Sequence, residues 1–208
     1  MKEILGKKIG MTRIFRETGE QIPVTVIEVG PCPVVAKSTA GKNGTSYQVG
    51  FGALRAKLVN KPTAGHFAKS GVTPTRWLRT IKYDDAELEV GAELKVDIFK
   101  EGEKVDVTGI SRGLGFQGAV KLHHFGGGPK THGQSDRRRA PGSVGSSSYP
   151  SRVFKGMRMA GKMGKNKVTA LNLSVAKIIA DQNLLLVEGS VPGVRGSLVK
   201  VRLSNRKK

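Results

Sequence analysis

The sequence predicts a mainly β chain with a few short helices and one long irregular basic extension. Three observations predict it: short Val- and Ile-rich runs recur toward both ends, Gly and Pro punctuate them, and residues 111–167 break the pattern altogether. From Met1 to Val59 the runs EILGKKIGMTRIF, QIPVTVIEVG, PVVAKST and TSYQVGFG read as antiparallel strands. ETGEQ at 17–21 reads as a hairpin turn. So does KNG at 42–44, where Asn43-Gly44 tolerates the positive φ angles such turns need.

KPTAGHFAKSG predicts a short helix over 62–70 that stops at Gly71. His66 on it packs or caps, since no second metal-type residue stands three or four positions on. TRWLRTIKY, residues 75–83, alternates as a strand does, and its Trp77 reads as core packing rather than a platform for a base. Residues 84–106 carry nine acids against three Lys and predict a solvated rim that avoids phosphate. ELKVDIF and KVDVTGI read as two strands joined by KEGEK, with no convergent His to turn the carboxylates into a hydrolase site. After the basic stretch VTALNLSVAKIIA, NLLLVEGSV and SLVKVRLS resume the β pattern, the last two joined by GSVPGVRGS. Strands on both sides of the excursion need each other's cover. The expected organisation is therefore one discontinuous β domain, 1–110 with 168–208, and an inserted extension, 111–167.

The formal charge is +20, from 36 basic and 16 acidic residues, and nucleic acid is the economical partner for such a chain. No apolar run approaches the roughly 18 residues of a spanning helix, and MKEILGKKIGM lacks the apolar region of a secretory signal, so a membrane is not an expected partner and the cytoplasm is the expected compartment. Cys32 is the only cysteine, which excludes an internal disulfide or a Cys-based zinc cluster within one chain and suits a small buried filler.

The extension holds twelve Lys or Arg against one acid, Asp136, and twelve of the chain's 28 glycines. Ordering a backbone costs about 1–2 kcal/mol per residue, and the few apolar anchors here, such as Val120, Leu122, Phe125 and Phe154, cannot offset that along 57 residues. The compensation must come from a polyanion, whose phosphates Lys and Arg reach while Gly admits its backbone closely. Arg112, Lys121, Lys130, Arg137, Arg138, Arg139, Arg152, Lys155, Arg158, Lys162, Lys165 and Lys167 are the candidate phosphate contacts. His123, His124, His132 and Tyr149 are candidates to stack on bases or bond to sugars.

Two patterns are decoys. Gly113-x-Gly115-x-x-Gly118 matches a dinucleotide fingerprint, but AVKLHHFGGGP is too short and too Gly/Pro-bound to open the required helix, and the nearest later acid is Asp136. The three close histidines lack a carboxylate or thiol to complete a metal set. No nucleophile motif or cofactor motif appears, so no cofactor, small-molecule substrate or catalytic residue is expected. An RNA-acting enzyme using the basic loop as a substrate clamp, or a DNA-compacting protein, are the other classes with the same charge pattern.

The blocks GKKIGMTRIF, PVTVIEVGPCPVV, NKPTAGHFAKSGV, VDVTGISRGLGFQGAVKLHHF, GGGPKTHG, PGSVG, VFKGMRMAGKMG and LLLVEGSVPG occur in this order along essentially the whole chain. Together they resemble the bacterial large-subunit ribosomal protein L-three family. The resemblance implies a six-stranded β-barrel like that of elongation factors and reductase-like domains, and an extension reaching through 23S rRNA toward the peptidyl-transferase centre. It also implies an early role in subunit assembly and neighbouring large-subunit proteins as partners. Many relatives carry a side-chain-methylated glutamine after PGS[IV]G, where this chain has Ser146 with no amide. The PG[RK]V found a few residues on is PSRV here, with Ser151 for Gly, so the tip is expected to differ from its relatives.

Amides of 111–167 are therefore expected to exchange freely in RNA-free protein while the strand amides are protected. Strong protection of the extension without RNA, measured by hydrogen exchange, contradicts it.

Overall fold

A computed structural model describes residues 2–38, 45–83 and 87–205. In chain order its elements are β1 (Glu3–Phe15), β2 (Gln21–Val29), β3 (Cys32–Ser38), β4 (Ser46–Ala53), α1 (Lys61–Ser70), β5 (Thr75–Lys82), β6 (Glu93–Leu94) and β7 (Lys104–Ile110). There follow β8 (Gly115–Gln117), α2 (Ala119–His123), β9 (Gly161–Met163), β10 (Lys167–Ile179), β11 (Leu184–Glu188) and β12 (Leu198–Leu203). The protein is mainly β. The chain divides into two compact units, Met1–Ser111 with Lys167–Lys208, and Arg112–Asn166.

In the first unit six antiparallel strands run in the order β1-β12-β7-β10-β11-β2, and β2 pairs back on β1 from Gly6↔Val29 to Phe15↔Gln21. Every strand of this set therefore has a hydrogen-bonded neighbour on both sides. The β1–β2 turn is the predicted one: the Arg16 amide donates to the Glu20 carbonyl at 3.0 Å, and Gly19 takes φ +82°, which a side chain would strain. Across the excursion Ile110 pairs with Lys167 and Gly109 with Val168, so β7 and β10 are direct neighbours. A second sheet has the order β5-β4-β3-β6, with β5 at its end. One core serves both sheets: Ile4, Leu5, Ile27, Val49, Val105, Val107, Val187 and Val201 are sealed from solvent together with Tyr47 and Phe51. Each such side chain contributes roughly 1.5–3 kcal/mol by leaving water.

α1 starts with Pro62 in its first turn and ends where Gly71 adopts the left-handed conformation, φ +66°, as the sequence predicts. His66 is exposed and pairs with the Gln48 side chain at 2.9 Å. Trp77 stacks on Phe51 with centroids 5.8 Å apart and carries the Arg76 guanidinium 4.6 Å from its ring, so packing accounts for it. Cys32 is buried, and burial pushes its thiol up to about 12 against weaker opposing hydrogen bonds at Leu5 and Gly30. It is a neutral filler.

Three expectations need correction or fall outside the description. ELKVDIF is not one strand: only Glu93–Leu94 pairs, and with β3 rather than β7, after which Val96–Ile98 turns as a 3-10 helix. The physical reason is that Leu94, Val96 and Phe99 are all buried, and an alternating strand would leave one of them on the wet face. The acidic segment is not wholly a solvated rim. Asp106 is 2% exposed; the Asn172 amide donates to its Oδ1 at 2.9 Å and Arg202 Nη2 to its Oδ2 at 2.9 Å. Glu3, at 4% exposure, likewise accepts from Lys200 Nζ at 2.8 Å and from the Lys82 amide at 2.9 Å. The KNG turn, and Asp84 and Asp85, lie outside the described residues.

Burial alone raises the Asp106 carboxyl, but the Asn172 amide, the Arg202 guanidinium and the Ser204 hydroxyl together hold it below its ordinary value of 3.8. A lowered folded value means the stability it contributes is complete above 3.8 and is lost as pH falls below that point. Arg202→Ala, which strands the carboxylate, is expected to cost about 2 kcal/mol in urea unfolding at pH 7. Asp106→Asn is expected to flatten the acid limb of stability against pH.

Candidate nucleic-acid interface

Residues 112–166 are held by local backbone contacts rather than by a core, since Ala119 alone among them is buried. At their root β8 and β9 pair through Gly115↔Met163, Phe116↔Lys162 and Gln117↔Gly161. The Leu114 amide donates to the Met163 carbonyl at 2.9 Å. Gly164 is required there twice over. Its φ is +81°, and a Cβ would stand 2.1 Å from the Arg112 carbonyl oxygen. This two-stranded ladder, in a stretch whose composition predicts irregular backbone, displays Lys162 and Phe116 on exposed positions.

A helix does open at the third glycine of the G-x-G-x-x-G pattern, contrary to expectation. α2 begins after Gly118, whose carbonyl accepts from the Lys121 and Leu122 amides at 3.1 and 2.9 Å. Ala119, Val120, Lys121 and Leu122 are compatible with one turn once Gly118 caps it, and His124 ends it in the left-handed conformation, φ +60°. Five residues give no extended dipole, and no acid follows before Asp136, so the dinucleotide reading stays rejected.

Beyond α2 the chain folds back on itself. The Gly128 amide donates to the Arg138 carbonyl at 2.9 Å. The Gln134 carboxamide, with its oxygen turned toward the chain, accepts from the amides of Arg137 and Arg138 at 3.0 and 2.6 Å. Thus the backbone of the Arg137–Arg139 run is fixed while its side chains stay exposed. His123 Nε2 donates to the Met159 carbonyl at 2.9 Å and joins α2 to the returning segment. Toward the tip Tyr149 is 86% exposed, and the Arg152 guanidinium lies 5.7 Å from the Phe154 ring. Ser151, at φ +56°, occupies a backbone conformation that glycine adopts without strain, and its hydroxyl donates to the Ser148 carbonyl.

Of the sixteen residues predicted from sequence, fifteen are exposed: Arg112, Lys121, His124, Lys130, His132, Arg137, Arg138, Arg139, Tyr149, Arg152, Lys155, Arg158, Lys162, Lys165 and Lys167. His123 is half-buried. Lys167 belongs to the first unit as the opening residue of β10, and the others lie in the second. Among the described residues no ion pair involves 112–166, so its eleven cations are uncompensated by protein carboxylates. No three His, Cys, Asp or Glu come together as a metal set among the described residues. Phe116 and Phe154, absent from the sixteen predicted contacts, are 76% and 55% exposed. Their signal was an aromatic beside cations in a glycine-rich run.

A family model described as Ribosomal protein L3 matches residues 78–183. The chain is 52% identical over 204 residues to the large ribosomal subunit protein uL3 of Chlorobium limicola, covering 97% of this chain and 98% of the relative. It has the same identity and coverage with the large ribosomal subunit protein uL3 of Chlorobaculum tepidum.

Gly164→Ala is expected to weaken binding to RNA about tenfold or more, because a strained φ and a backbone clash coincide at the root of the arm. Thermal unfolding of the first unit is expected to be unchanged, which separates a local effect from general unfolding.

Proposed function

The chain belongs to the ribosomal protein L3 family, and on that premise we propose that it is a non-catalytic structural constituent of the large ribosomal subunit that binds 23S rRNA directly. It works in the cytoplasm, within the ribosome, beside neighbouring large-subunit proteins, and it nucleates early subunit assembly. Residues 1–110 with 168–208 form the seated domain, a six-stranded barrel of the elongation-factor kind, for which the mutual pairing of β1 and β2 at the ends of the strand order is the support. Residues 111–167 extend into the rRNA toward the peptidyl-transferase centre.

One observation carries the reading: eleven cations in 112–166 with a single acid, no ion pair to a carboxylate among the described residues and one buried side chain. Phosphate supplies the missing charge, and enclosure by RNA supplies the burial that the arm lacks. Arg137, Arg138 and Arg139 present guanidinium groups from a fixed backbone, which suits bidentate phosphate contacts. His124, His132 and Tyr149 reach sugars and bases. His123, already joined to Met159, positions α2 and has a second ring nitrogen for RNA.

If roughly ten phosphates are engaged, affinity for an rRNA fragment falls with salt on a log–log slope of about −7 to −9. A slope near zero in a filter-binding titration overturns the proposal.

A further inference from the structure

The arm contains a cleft of about 450 Å3 lined by Phe125, Gly126, Gly127, Gly128, Arg137 and the Ala140–Gly142 segment. Its side chains are one aromatic ring, one guanidinium, an alanine and a proline, with no acid and no side-chain hydrogen-bond acceptor. The walls are joined by the chain's own hydrogen bonds. Besides the Gly128–Arg138 bond and the Gln134 contacts, the Ala140 amide donates to the Arg137 carbonyl at 3.2 Å. At Gly127 the φ is +74° and a Cβ would stand 2.3 Å from the Arg138 carbonyl oxygen, so only glycine lets the two segments approach this closely. Phe125 is half-buried and meets His123 only at a tilt, 41° with centroids 5.9 Å apart. Arg137 has its amide pinned, while its guanidinium has no protein partner among the described residues.

We infer that this cleft takes one unpaired nucleotide of the bound RNA, its base against the Phe125 ring and its phosphate at the Arg137 guanidinium. A base needs a flat apolar face and close backbone approach, which Phe125 and the glycines provide, and the negative charge next to it needs a cation at the mouth. An apolar side chain from a protein neighbour would fill the cleft but leave Arg137 without its counter-charge. The inference rests on the rRNA-binding reading and adds a nucleotide-selective contact to it, through a residue absent from the sixteen candidates.

Full-length protein bound to large-subunit rRNA, probed base by base with dimethyl sulfate and by backbone cleavage, tests it. The native protein and Phe125→Tyr are expected to protect one unpaired base. Phe125→Ala and Phe125→Leu expose that base and weaken binding about tenfold, the loss expected of one base–aromatic stack. Arg137→Gln removes the backbone protection of the same nucleotide. If Phe125→Leu protects as the native residue does, the ring merely fills space and the inference falls. It falls equally if no base responds to any Phe125 variant while the steep salt dependence persists, or if a photo-crosslinker at position 125 in assembled particles captures protein instead of RNA. A flat salt dependence of the native protein would instead remove the rRNA reading itself, so the two failures are distinguishable.

Discussion

Antiparallel pairing of β7 with β10, beginning at Ile110↔Lys167 and running to Lys104↔Ser174, joins two strands that are separated by the entire arm. Closing so long a loop is entropically mild, since each doubling of length adds only about 0.6 kcal/mol. The requirement is that both strands already have good reasons to be where they are. They do: β7 also pairs with β12, β10 also pairs with β11, and Val105, Val107 and Val175 are buried in the shared core. The Asn172 amide, at a bulge in β10 between Ala170 and Leu173, donates to Asp106 of β7, which in turn accepts from Arg202 of β12. A single carboxylate thus ties three neighbouring strands.

Charge is partitioned along the chain in a way that matches this plan. Acids of the first unit neutralise specific neighbours: Glu3 serves Lys200, Asp106 serves Arg202, and Glu188 stands 3.8 Å from Arg16. Within 112–166 the only acid is Asp136, so its positive field is left for an external anion. The close approaches within it are made by glycine and by backbone hydrogen bonds, which need no apolar interior but do not by themselves offset the entropy of ordering so long a stretch. Gly127 and Gly164 each allow a crossing of backbones that any side chain would block.

Much of this was legible in the sequence because it is local. The β1–β2 turn, α1 with its Gly71 terminus, the long Val-rich strands and the cationic run all announce themselves through neighbours within a few residues. What escaped is set at a distance. β6 pairs only because Cys32 lies opposite Leu94, and the burial of Asp106 depends on Arg202, 96 residues away. AVKLHHFGGGP is short and bounded by Gly and Pro, which argues against a helix, yet Gly118 and His124 supply both ends of α2. The exposure of Phe116 and the cleft beside Phe125 depend on how glycine-rich segments cross, which periodicity does not encode.

Among the described residues no strand pairs with the outer edge of β5, which follows Pro74 and carries Arg76, Arg79 and Lys82, the last with its amide bonded to Glu3. An open strand edge is a template for aggregation, and cations with a flanking proline are the usual guards against it. Two copies meeting along this border therefore bring like charges together rather than zip into a wider sheet. The basicity that suits the protein to its polyanion also keeps the unassembled pool dispersed.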